Sequence, residues 1–372
     1  MAEYRIKDTL YRLATPKDDT TLKRLLHENP MKSWVNISTE REPSYFDGAS
    51  LMGETYALIA QDAIVEENII GMYSCSYLPV HIDGKPEMIG YLGGLRVVSE
   101  FRHKIHYIKH GFEALKKIVP LRGSVPFYFT SIASENTIAR RLLEANMSGM
   151  PCYSPVGEMT TMIFSVNQGK NGGILVQARS EDISDIVSYY NKRASSYQLS
   201  PYLSEEWLQN TAGHLGLDIS DFWLLRDKNG VLRCCFALWD QRAFKQSVVK
   251  GYKAPLNHLR ILYNGYARMM KRVELPQAGK ALEHLYVAFF ACDDDDTDLA
   301  VNVLKEAAYI ARAKGATSCV MGISSQHVLL PILKHTLKPE IYRTQIEVVT
   351  LKGDDQYTNT SERIIQPEVA LL

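Results

Sequence analysis

The chain has 372 residues, long for one domain and natural for two, and with 46% hydrophobic and 23% charged residues its composition is that of an ordinary globular protein. Lys plus Arg and Asp plus Glu both number 42, so the net charge is zero, which argues against a general nucleic-acid binder. The opening MAEYRIKDTLYR has no apolar h-region and no apolar run is long enough to span a bilayer, so a cytoplasmic protein that engages neither membrane nor nucleic acid is expected.

Taken in chain order, Leu10 to Ala14 reads as a strand. Thr15-Pro16 then opens a helix through His27, with Asp18 and Asp19 in its first turn. A helical region is expected around Ser44 to Met52. Tyr56 to Ile64 and Ile69 to Ile82 read as strands, and Asp83-Gly84 turns the second into a strand from Ile89 to Val98. A helix is expected from Arg102, a strand over Phe127 to Ala133, a helix over Asn136 to Ala145, and a closing strand over Glu158 to Val166. The polar, Gly-rich residues 167–173 read as a linker. Beyond it the order repeats, from a strand at Ile174 to a final strand over Tyr342 to Leu351. The spacing predicts two α+β units, 1–166 and 174–372, each a mixed, mostly antiparallel twisted sheet flanked by helices.

The segment from Tyr91 to Leu115, YLGGLRVVSEFRHKIHYIKHGFEAL, carries the chemistry. Ile105, Ile108, Phe112, Leu115 and Val119 form one apolar stripe of a helix. A strand that runs straight into a helix N-terminus presents unpaired N–H groups and the positive end of the dipole. Arg102, His103 and Lys104 add cationic donors there, so the segment is suited to a phosphate. The alternative is a solvated first turn. His106 and His110 have the spacing of a metal-chelating pair, but no acidic or Cys partner stands at useful spacing, so no metal is expected. The six cysteines include no CxxC pair and are expected reduced.

These residues resemble the GNAT superfamily of acyl-coenzyme A-dependent N-acyltransferases. Leu95-Arg96-Val97 matches the hydrophobic strand of the family's coenzyme motif, and Arg102 its leading basic residue. Ile105 and Tyr107 stand where the family has glycine. Asn136, followed by a helix ending Arg-Leu-Leu-Glu144, matches the family's next feature, and Trp239 to Gln246 resembles the degenerate second domain of tandem GNAT proteins. The resemblance implies binding of acetyl-coenzyme A or another acyl-coenzyme A by Leu95, Arg96, Val97, Arg102, His103, Lys104, Ile105, His106, Tyr107 and Asn136. It implies acyl transfer, acetyl in the first instance, to a small-molecule amine or peptide acceptor, with a homodimer as one possible assembly and no catalytic side chain assigned. A non-catalytic coenzyme-binding or interaction module on the same fold is the alternative. The acidic run Asp293 to Asp296 sits where the second unit would hold a pyrophosphate, and marks that unit as one that binds no coenzyme.

Overall fold

The computed structural model describes residues 3–31, 34–63, 68–102, 104–119, 125, 127–145, 147–210, 216–293, 296–351 and 361–372. The first half runs β1 (Glu3–Ile6), β2 (Thr9–Leu13), α1 (Asp19–Glu28), β3 (Val35–Glu40), β4 (Glu54–Asp62), β5 (Ile69–Ile82), β6 (Lys85–Val97), α2 (Ile105–Ile118), β7 (Tyr128–Ala133), α3 (Thr137–Leu143) and β8 (Cys152–Ser165). The second runs β9 (Val176–Gln177), α4 (Ile183–Ala194), α5 (Glu205–Asn210), β10 (Phe222–Arg226), β11 (Leu232–Trp239), β12 (Gln246–Tyr252), α6 (Leu256–Met269), β13 (His284–Cys292), α7 (Thr297–Ala313), β14 (Ser318–Ser324), α8 (Leu330–Leu337) and β15 (Glu340–Thr350).

Local chemistry explains the key elements. Asp83 and Gly84 both take positive φ, +50° and +82°, which is the geometry a tight hairpin between twisted strands needs. Asp18 accepts from the Thr15 N–H at 2.7 Å and forks onto Arg12, fixing the entry to α1. Asp296 caps α7 by accepting from the Leu299 N–H at 2.8 Å, and Ala300, Leu304, Ala307 and Ala311 bury its inner face.

Thirteen strands form one sheet in the order β1-β2-β4-β5-β6-β7-β15-β8-β14-β13-β11-β10-β9, while β3 and β12 pair separately. The ladders are antiparallel except β6/β7 and β13/β14. Each parallel pair is bridged by one crossover helix, α2 or α7, as parallel strands require. The two halves thus share one plan, β2-β4-β5-β6 matching β9-β10-β11-β13, and the α+β expectation of a mixed, mostly antiparallel sheet holds. The last strands are exchanged between the halves: β8 follows the first half but pairs with β14 of the second. β15 ends the second half but pairs with β7 as well as β8. The core crosses the same seam, with Tyr91 and Phe129 in one buried cluster with Trp239, Phe289 and Ile346.

Two helix expectations shift. The helix expected from Arg102 begins at Ile105, because residues 99–101 form a 3-10 turn that carries the chain off the strand. The helix expected over Ser44 to Met52 is only a 3-10 turn at Ala49–Met52. Residues 167–173, expected as a linker, lie along α7: the Lys170 N–H donates to Lys305 O at 3.0 Å, and Glu306 accepts from the Ile174 N–H at 3.1 Å. We propose this segment as the boundary between the halves 1–166 and 174–372. Cleavage within it should leave two fragments that co-elute on gel filtration, since β15 would remain paired to the first. Fragments that separate without denaturant would refute the exchange.

Candidate functional site

Among the described residues β6 and β7 are paired only at Gly90↔Tyr128 and Tyr91↔Phe129, and beyond that point they part. Gly90 is needed there, since a Cβ would lie 2.1 Å from the Tyr128 ring. The Thr130 hydroxyl donates to Leu92 O at 2.7 Å, a last tie between the two strands. Past it β6 bulges: Ser74 pairs with Gly93 but Met72 pairs with Arg96, so the strand carries one extra residue, and Gly94 takes φ +66°. Among the described residues the β7-facing edge of β6 from Gly93 to Val97 has no strand partner; Leu95 O and Val97 O accept from the Arg96 and Arg102 side chains, and the other main-chain groups of that edge are left to a ligand.

A cleft of about 1750 Å³ opens at this parting. That exceeds a usual small-molecule site of roughly 300–1,000 Å³. Its walls include Leu95, Tyr107 and Asn136 from the first half, Lys245 and His284 from the second, and Tyr342 of the exchanged strand β15. The helix α6 closes one side with Leu256, Arg260 and Tyr263.

The expected coenzyme residues divide into those on the cleft and those off it. Leu95, Arg96, Val97, Tyr107 and Asn136 line it. Asn136 also caps α3, accepting from the Ala139 N–H at 3.3 Å. Arg102 is not on the wall: its Nε donates to Val97 O at 3.1 Å and its Nη2 to the Asn29 side chain. Lys104 sits 5.0 Å over the Phe101 ring, and neither it, Ile105 nor His106 lines the cleft. His103 lies outside the described residues. Arg96 does not converge with the α2 N-terminus, because its register partner Met72 belongs to the face packed by α1, whereas α2 covers Leu92 on the opposite face. What remains at the start of α2 is a 14-residue helix with no side-chain cap; the Tyr107 N–H turns back onto Lys104 O at 3.1 Å, so the N–H groups suited to an anion are those of Ile105 and His106.

Distant segments supply cleft residues that no local motif announces: Arg41, Tyr45, Thr130, Lys245, His284 and Tyr342. Burial lowers the pKa of Arg96 and of Arg41 below the usual guanidinium range, against opposing tyrosines. Burial, with the charge of Arg41, pushes the Lys245 ammonium down to about 7; its Nζ donates to Leu372 O at 2.6 Å. Burial likewise pushes His284 down to about 4, so its imidazole is neutral at pH 7, with Nδ1 3.2 Å from Leu282 O. Among the described residues no group of three His, Cys, Asp or Glu is placed to hold a metal ion, and no helix is long and apolar enough to cross a membrane. In the second half, Asp293 is paired with Arg233 and Asp296 caps α7, while Asp294 and Asp295 lie outside the described residues.

No family model and no curated protein sequence matches the chain. Solved structures do. N-myristoyltransferase of Saccharomyces cerevisiae with bound myristoyl-CoA superposes with a TM-score of 0.60 over 93% of this chain and 83% of that one, at 11% identity. A GCN5-related N-acetyltransferase from Sphaerobacter thermophilus superposes with a TM-score of 0.55 over 93% of this chain and 96% of that one, at 13% identity. The chain has the GNAT fold. The matches extend over both halves.

Proposed function

We propose that this chain is an N-acyltransferase that moves an acyl group from acyl-coenzyme A to an amine, using the cleft of its first half. The parting of β6 from β7 carries this reading. An extended pantetheine arm needs main-chain partners, and the unpaired edge of Gly93–Val97 offers them beside a helix N-terminus suited to the pyrophosphate. In the reaction the neutral amine attacks the thioester carbonyl, the C–N bond forms, the C–S bond breaks, and the sulfur leaves as thiolate to be protonated. Most of the catalysis is then positioning, together with a main-chain donor for the developing oxyanion. The bulge at Gly94 re-aims N–H groups at the parting and is our choice for that donor. Lys245 is our choice to take the amine's proton, since burial holds it near 7. The acyl group is acetyl or longer, and the large cleft supports chains beyond acetyl. Acceptors in this reading are small amines or peptide N-termini.

The test is calorimetry of the full chain with coenzyme A, followed by thiol release from acetyl-, octanoyl- and myristoyl-coenzyme A with an amine panel. Micromolar binding of coenzyme A and amine-dependent thiol release are expected. Absence of coenzyme A binding would refute the reading. Binding without release for any acyl chain would leave a coenzyme-binding module instead.

A further inference from the structure

Arg96 is on the cleft wall and has no counter-ion among the described residues. Its Nε is buried and meets no acceptor, and its Nη1 reaches only the carbonyl of Leu95, at 2.9 Å. The groups that act on it electrostatically are three tyrosines, Tyr45, Tyr342 and Tyr91, and the like charge of Arg102. Arg41 is in the same situation. Its guanidinium carbon stands 5.3 Å over the Tyr45 ring, and among the described residues it makes one hydrogen bond, a long one of 3.5 Å to Tyr45 O. Among the described residues neither arginine makes an ion pair, although most other arginines of the chain do. Tyr45 lies between the two and is itself buried.

A half-buried guanidinium with a nitrogen shut off from water and no carboxylate beside it is poorly satisfied in the empty protein. It becomes favourable when a ligand supplies the anion, and a planar fork then holds a carboxylate with geometric selectivity. Coenzyme phosphates are not the fitting anion, because Arg96 leaves the sheet on the α1 face while α2, whose N-terminus suits the pyrophosphate, covers the other. The α1 face of the cleft is the side left to the acceptor.

We propose that Arg96 and Arg41 form a subsite for a carboxylate carried by the amine acceptor, so that the preferred acceptors bear an anionic group as well as an amine. This rests on the acyl-transfer reading for the ligand's role, but the anion preference itself is measurable without turnover. Full-length protein is titrated calorimetrically, with and without coenzyme A, with N-acetylglycine, N-acetyl-β-alanine and N-acetyl-γ-aminobutyrate and with the carboxamide of each. At least one acid should bind ten-fold or more tightly than its carboxamide. That ratio should fall below about three-fold in Arg96→Met and in Arg41→Met, and Arg96→Lys should restore part of it, which separates a lost contact from a misfolded variant. Coenzyme A affinity should change less than three-fold in Arg96→Met. Acids that bind no better than their carboxamides, or a ratio that survives both Met variants, would overturn the proposal. So would a ten-fold loss of coenzyme A affinity in Arg96→Met, which would assign the guanidinium to the phosphates. If coenzyme A does not bind but the acid preference holds, the acyl-transfer reading falls and the anion subsite stands.

Discussion

Gly90→Ala should destabilise the protein by about 2–3 kcal/mol and weaken coenzyme binding at least ten-fold, the first figure being typical of overpacking a rigid core site. A Cβ at residue 90 would lie 2.1 Å from Cδ1 and 2.5 Å from Cε1 of Tyr128. The Tyr128 ring is only 4% exposed and packs 6.5 Å from the Tyr77 ring, so it has nowhere to swing. The backbone must therefore yield, and it yields at one of the two register pairs that close β6 on β7. The cleft begins immediately beyond this pair, so a shift there moves the unpaired edge that the pantetheine would use. Gly265→Ala is the contrast: nothing lies within 4 Å of its Cβ position, it is inside α6, and alanine there should stabilise by about 0.5–1 kcal/mol. Urea melts and calorimetry with coenzyme A check both. A Gly90→Ala protein within 1 kcal/mol of wild type with unchanged coenzyme affinity would show that this pair does not set the cleft.

What the sequence made legible was local. The hairpin at Asp83-Gly84, the strand leading into a basic helix, and the helix beginning at Asn136 all rest on residues within a few positions of one another, and their chemistry is the same in a peptide as in the fold. The helix start was misplaced by three residues because the apolar stripe fixes a helix's face better than its first turn, and a 3-10 turn at 99–101 looks like its beginning. The strand exchange was not legible at all. Alternating polarity tells which face of β8 or β15 is buried, and nothing about which neighbour accepts its main-chain bonds. Nor were Arg41 and Lys245 of the cleft, whereas Arg96 was expected at the site. Arg41 comes from a loop after β3 and Lys245 from the loop before β12, far from Arg96 on its bulged strand. Only the β3/β12 ladder and the shared sheet bring them to one wall. A charged residue in a loop ordinarily faces water, so its sequence context gave no reason to place it in a cleft. The bulge at Gly94 hides information in the same way: the extra residue resets the alternation of β6, and an alternation counted straight through it misassigns the faces beyond.

Glu347→Gln should stabilise the protein at pH 8 by about 2 kcal/mol and leave it nearly unchanged near pH 4.5, by linkage of a raised carboxyl pKa to folding. Glu347 is on β15 opposite Thr130 of β7, is fully buried, and neither carboxylate oxygen meets a hydrogen-bond donor. Burial, then the neighbouring carboxylate of Glu144, push its pKa up to about 7, and Arg140 Nε, 3.9 Å away, offsets this only in part. Because the folded-state pKa is raised, the native protein holds a proton that the unfolded chain releases near pH 4.3. The stabilisation is fully present below the unfolded value and is lost as pH rises through about 7. Glutamine keeps the neutral shape at every pH, so the two proteins should melt alike at pH 4.5 and diverge steadily up to pH 8. Thermal melts at half-unit intervals give the curve. A constant offset at all pH values would mean that Gln is changing packing and that the Glu347 carboxyl does not titrate on folding. The position gives the result a functional edge, since Thr130 is also the residue whose hydroxyl ties β7 to Leu92 at the mouth of the parting. A charge forming on the strand beside that tie loosens the seam where the two halves exchange strands. Coenzyme affinity of the wild type should then weaken above pH 7 in step with its stability, while that of Glu347→Gln stays level.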